Sequence, residues 1–175
     1  MIRSYLKYEF IKENSTDFVV LRNYLVSPFT EEFVFRSCMI PLVYQVLGGF
    51  YSMLVTPLFF GVAHLHHIIE GYFVTRLPLD ILIAQHLFQF SYTYLFGIYS
   101  SYLFMRTGNF YASFASHVFC NFMGFPNIND LLYEFDRRAT IVIVVSYLVG
   151  FVSFFCIIDF GTEPGFYGNG VFVID

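Results

Sequence analysis

Charge is the scarcest feature of this chain. Between Ser37 and Ile69 there is no Asp, Glu, Lys or Arg, and only 13% of the 175 residues are charged, against about 25% in soluble domains. With 57% hydrophobic residues and a mean hydropathy of +0.64, a soluble sphere of this size could not hide its apolar surface. Residence in a lipid bilayer is therefore expected. The net charge of −4 is small and no basic stripe occurs, which argues against nucleic acid as a partner. Cysteine is sparse. Cys38, Cys120 and Cys156 are too scattered for a zinc spacing or a disulfide framework and read as inert core residues. Met1 to Arg22 is mixed and charged, without the short apolar block of a cleavable signal. If this is the whole protein, targeting is expected to come from an internal membrane segment. Internal repeats and low-complexity linkers are absent.

What the chain does have is a series of uncharged runs. Ala139–Ile158, rich in Val, Ile and Phe, is long enough at about 1.5 Å per residue to cross a hydrocarbon core of about 30 Å. Ile81–Met105 is a second run. Its Gln85, His86 and Gln89 are expected to face other helices, since lipid offers them no partner. A third helix is expected from Ser27 as N-cap and Pro28 as first helical residue, running to about Leu47. Gly48 and Gly49 break it. A further helix follows from about Tyr51 to Ile69, with a kink implied by Pro57. Phe110–Phe125 gives a shorter helix, followed by Pro126, and Asp159–Asp175 reads as a turn-rich end outside the membrane. The fold class is all-α, a polytopic membrane bundle with about five embedded helices. A juxtamembrane segment (1–25), a membrane domain (26–160) and a polar tail (161–175) divide the chain. With strict alternation, Arg3, Lys7, Lys12, Arg22, Arg76, Arg137 and Arg138 share one side, which should be cytosolic, and Arg106 lies opposite.

This topology brings distant residues to one depth. Glu31 and Asn121 lie about 6 Å, His64 about 8 Å and His117 about 12 Å from the cytosolic ends of their helices. Ionisable groups at such depth mark a functional site by default. Glu32 and Arg36 are spaced i,i+4 and form a pair, while Glu31 points about 100° away and can face a site as a general base. His117 and Asn121 share a face and can donate hydrogen bonds to an oxyanion, and His64 can orient a water. Base, water and oxyanion donors are what amide hydrolysis requires. Other readings stay open. Glu32–Arg36 suits a structural ion pair, and each histidine suits a packing role, with His66 and His67 interfacial. Cys120 is a conceivable nucleophile, although its apolar setting argues against activation. Glu31, His64 and His117 could hold zinc, although no H-E-x-x-H occurs. A catalytically silent membrane scaffold is the alternative from another class.

Three stretches carry a resemblance: "PFTEEFVFRSCMIP" (Pro28–Pro41), "PLFFGVAHLHHIIE" (Pro57–Glu70) and "RTGNFYASFASHVFCNFMGFP" (Arg106–Pro126). "FQFSYTYLFGIYSSYLF" (Phe88–Phe104) and "DFGTEPGFYGN" near the end fit as well. Together they resemble the type II CAAX prenyl proteases, the Ras-converting endopeptidases, within the wider family of intramembrane glutamate-dependent CAAX proteases. The resemblance implies a multi-pass enzyme of the endoplasmic reticulum. Such an enzyme removes the last three residues from farnesylated or geranylgeranylated CAAX proteins and needs no metal or cofactor. By motif, Glu31 matches the catalytic glutamate and His64 the histidine that works with it on the water. His117 and Asn121 match the oxyanion-stabilising pair, and Glu32 and Arg36 the supporting positions. The family's cysteines are dispensable. Its members carry several helices ahead of the E-E motif, whereas here Pro28 already opens the motif helix.

Overall fold

Two prolines shape the helix that carries the glutamates. In the computed structural model, which describes residues 18–63, 73, 78–124 and 135–174, helix α1 runs over Phe18–Ala63. The expected start at Ser27 is wrong. Val26 and Ser27 both have helical dihedrals, so Ser27 caps nothing and Pro28 lies inside a helix. A proline there clashes with the carbonyl four residues back, which is that of Tyr24 for Pro28 and of Ser37 for Pro41. Both carbonyls fall in wide π-helical turns, Arg22–Val26 and Phe33–Met39, where i→i+5 bonding opens the ladder and makes room for the ring. Glu31 and Glu32 sit on the short α-helical segment Ser27–Glu32 held between the two wide turns.

The expected break occurs at Gly48, whose φ of 74° is open to glycine. Pro57, beyond it, keeps helical dihedrals. Helix α2 (Leu79–Thr107) and helix α3 (Phe110–Met123) form an antiparallel hairpin. It turns at Gly108 (φ 61°), and the Asn109 side chain accepts from Tyr111 N–H at 2.8 Å as the α3 cap. Helix α4 (Arg137–Gly161) starts at Asp136, which accepts from Ala139 N–H, and a short α5 (Pro164–Tyr167) follows. The described residues contain no strand, in keeping with an all-α bundle. Among the described residues two helices, α1 and α4, are long and apolar enough to cross a membrane.

α2 packs along the second arm of α1 through small residues. Ser52, Thr56, Ser100 and Ser101 are fully buried, and a Cβ on Gly97 would come within 2.7 Å of the Pro57 ring. Such residues let helix backbones approach closely where lipid removes the hydrophobic drive to associate. α4 differs: none of its residues is buried. It is tied to α2 near its C-terminal end, where the Tyr102 hydroxyl meets the Asp159 carboxylate and Arg106 Nη2 donates to the Asp159 carbonyl at 2.9 Å. The cysteines depart from expectation in the same way. All three are exposed on the described chain rather than buried: Cys120 lines a cavity, and Cys38 and Cys156 lie on outer helix faces, where an apolar side chain suits a membrane setting. Gln85 is likewise exposed, whereas His86 is buried with Nδ1 2.7 Å from the Leu82 carbonyl of its own helix.

The tail folds back onto the bundle. Asn169 Nδ2 donates to the Met105 and Arg106 carbonyls at 2.6 and 3.1 Å, closing the end of α2. Val173 N–H donates to the Tyr44 hydroxyl at 2.9 Å. Phe172 and Ile174 pack against the buried cluster of Ile40, Phe104 and Met105. The Val173 carbonyl lies so close to Gly49 that a Cβ there would collide with it. Gly49→Ala is therefore expected to cost about 1–3 kcal/mol and to lift the tail. Thermal unfolding in detergent and limited proteolysis near the C-terminus would read both effects.

Candidate active site

The first arm of α1 presents two neighbouring carboxylates in different surroundings. Glu32 is fully buried, and Glu31 keeps a side-chain exposure of 31%. The expected i,i+4 pair forms: Arg36 Nε lies 3.1 Å from Glu32 Oε2, with Arg36 also buried to 1% exposure. Removing two charges from water is costly unless each is paired and hydrogen-bonded. Arg36 Nη2 donates to the Gly97 carbonyl at 3.4 Å, and the guanidinium lies 4.7 Å from the centre of the Phe60 ring. The Glu32 carboxylate gains further donors from the hairpin. Ser100 Oγ donates to Oε2 at 2.6 Å, and His117 Nδ1 lies 2.8 Å from Oε1.

These contacts orient the His117 ring. A carboxylate held by a guanidinium and a hydroxyl is an acceptor, so the Nδ1 facing it carries the hydrogen. Nε2 is left facing the other way, 3.7 Å from Glu31 Oε2. The ring is held by Phe96, at 4.8 Å between centroids, and by Phe60, edge-on at 6.1 Å. One imidazole thus touches Glu32 on its inner side and faces Glu31 on its outer side.

A cavity of about 510 Å³ opens on that outer side. Glu31, His117 and Asn121 line it together with Phe60, Phe96 and Cys120. Gln89, Tyr92 and Thr93 of α2 add polar groups that motif reading did not assign to the site. Their only sequence signal was polarity inside an otherwise apolar run. Asn121 has a second attachment. Ser27 N–H bonds back to the Arg22 carbonyl, and Pro28 has no N–H, so the Asn23 carbonyl between them loses both its nearest main-chain donors. Asn121 Nδ2 donates to that carbonyl at 3.3 Å, which ties α3 to the first wide turn of α1.

The structure therefore brings Glu31, Glu32, Arg36, His117 and Asn121 together. His64, with His66 and His67, lies outside the described residues. Among the described residues no three His, Cys, Asp or Glu side chains are grouped as a metal-binding cluster.

Comparison with known proteins agrees with the motif reading. The chain matches the family described as Type II CAAX prenyl endopeptidase Rce1-like over residues 14–123. It is 40% identical over 154 residues to the human protein named CAAX prenyl protease 2, covering 88% of this chain and 46% of that one. Identity to the Arabidopsis thaliana protein of the same name is 39%, over 76% of this chain and 42% of the relative. The Schizosaccharomyces pombe protein named probable CAAX prenyl protease 2 is 33% identical over 89% of this chain and 58% of its own length. The chain spans about half the length of the curated relatives it matches. No solved structure matches it significantly. Family and apolar helices together support membrane association. With the match running through the E-E motif, the α2 stretch and the His117–Asn121 helix, the chain belongs to the type II CAAX prenyl endopeptidase family.

Proposed function

We propose that this chain is an intramembrane endopeptidase that removes the C-terminal tripeptide from prenylated CAAX proteins, acting as a multi-pass protein of the endoplasmic reticulum. The observation that carries the reading is the meeting of Glu31 Oε2 and His117 Nε2 at 3.7 Å on the wall of a largely apolar cavity. Both groups accept hydrogen bonds when His117 is neutral, so a water seated beside the pair, on the cavity side, can donate one hydrogen toward each. In the mechanism, Glu31, working with His64, takes a proton from that water as the oxygen attacks the carbonyl carbon after the prenyl-cysteine. The C=O electrons move to oxygen. Asn121 donates to this oxyanion, as does His117 in its imidazolium form, which carries a hydrogen on both ring nitrogens. When the intermediate collapses, the C–N bond breaks and the departing amine takes the proton from Glu31. The phenylalanines around the cavity supply an apolar setting for the prenyl chain.

The test is direct. The purified chain, reconstituted in bilayer discs, is incubated with a farnesylated CAAX peptide, and the tripeptide is measured by mass spectrometry. No release by correctly folded chain overturns the proposal. Release is expected to continue in excess chelator, because every step runs through Glu31, His64, His117 and Asn121. Loss of activity that zinc restores would replace this mechanism with a metal-activated water.

A further inference from the structure

Several helical serines and threonines among the described residues turn back on their own helix. Thr56, Ser91, Thr107 and Ser146 each donate to the carbonyl four residues before, at 2.7–2.9 Å. That is the default for a hydroxyl in an apolar helix, since it has no other partner. Ser100 does otherwise. Its Oγ is fully buried and donates across to Glu32 Oε2 at 2.6 Å, from a different helix and 68 residues away in sequence. It meets the oxygen that also faces Arg36 Nε, leaving Oε1 to His117.

We infer that Ser100 is a positioning residue: it fixes the rotation of the Glu32 carboxylate so that Oε1 holds the Nδ1 hydrogen of His117 and Nε2 is presented to the cavity. The geometry requires such a donor. Arg36 Nε faces Oε2 but lies off the line of a good hydrogen bond, and Nε and Nη1 of Arg36 have no hydrogen-bond partner among the described residues. The guanidinium neutralises the carboxylate without fixing its plane, whereas the short bond from Ser100 constrains that plane. Without it the carboxylate can rotate toward the unoccupied guanidinium hydrogens and release the imidazole. Ser100 does not line the cavity, and its hydroxyl reaches the site through Glu32.

This inference rests on the proposed peptidase reading for its consequence, but not for its test. The full chain, labelled with ¹⁵N-histidine and held in bilayer discs, is compared with Ser100→Ala at a pH where His117 is neutral. His117→Gln assigns the signal. The parent should show His117 with its hydrogen on Nδ1, and Ser100→Ala should show a mixture in which Nε2 carries it in a substantial fraction. An unchanged tautomer in a folded Ser100→Ala protein overturns the inference whether or not any peptide is cleaved. On the farnesylated peptide, Ser100→Ala should lower kcat roughly tenfold or more and leave KM unchanged. It should add nothing further on a Glu32→Gln background with measurable residual cleavage. An equal loss on both backgrounds would mean a general packing role and would also overturn it. Failure of the parent to cleave, with the tautomer shift intact, would count against the peptidase reading alone.

Discussion

Glu31→Gln is expected to lower tripeptide release by about 10²–10⁴-fold, the usual contribution of a positioned general base, while leaving the fold unchanged. The amide keeps the size of the side chain and its place on the cavity wall, but it cannot take the water's proton. Glu31 is partly exposed, and the contact between Glu32 and Arg36 is made without it, so the substitution leaves that pair in place. The comparison is made on the farnesylated peptide, with circular dichroism and thermal unfolding as controls on folding. Release at the parent rate by a folded Glu31→Gln protein would remove this carboxylate from the mechanism. A fall in kcat with little change in KM would place its action in the transition state rather than in binding.

The second large effect is on stability. Arg36→Ala leaves the Glu32 carboxylate fully buried with its counter-charge gone, and breaking such a pair typically costs about 3–5 kcal/mol. Arg36→Ala is therefore expected to unfold at markedly lower temperature in detergent and to express poorly. The matched replacement of both partners, Arg36→Met with Glu32→Leu, is expected to recover much of that loss, because no charge is then left alone in an apolar interior. It should not recover peptide release, since His117 loses the carboxylate that holds its Nδ1. Recovery of stability and activity together would show that the pair matters only as packing.

The site was legible in the sequence where it depends on local periodicity. Four-residue spacing pairs Glu32 with Arg36 and puts His117 and Asn121 on one face, and neighbours on a helix diverge, which separates Glu31 from Glu32. The contact of one imidazole with both glutamates was not legible, because it depends on how α3 packs on α1. Ser100 left no local trace: a serine in an apolar run has the same signature whether it bonds to its own helix or to another. The start at Ser27 was misread for a definable reason. Ser-Pro is a genuine opening signal, but a proline can also sit inside a helix when the preceding turn widens. The glycine and proline content of the tail announced turns, and only the tertiary structure shows Phe172 and Ile174 returning to the core.

The wide turns on either side of the glutamates have a consequence for angular phase. A π-helical turn holds one residue more than the α-helical turn it replaces, and one residue corresponds to a rotation of about 100°. That is also the angle between Glu31 and Glu32. Deleting one residue between either proline and the wide turn before it would let the ladder tighten and swing the acidic pair by one place relative to the rest of the bundle. The buried carboxylate and the one that faces the cavity would then change bearings. A one-residue deletion here should be far less tolerated than one in the chain's loops.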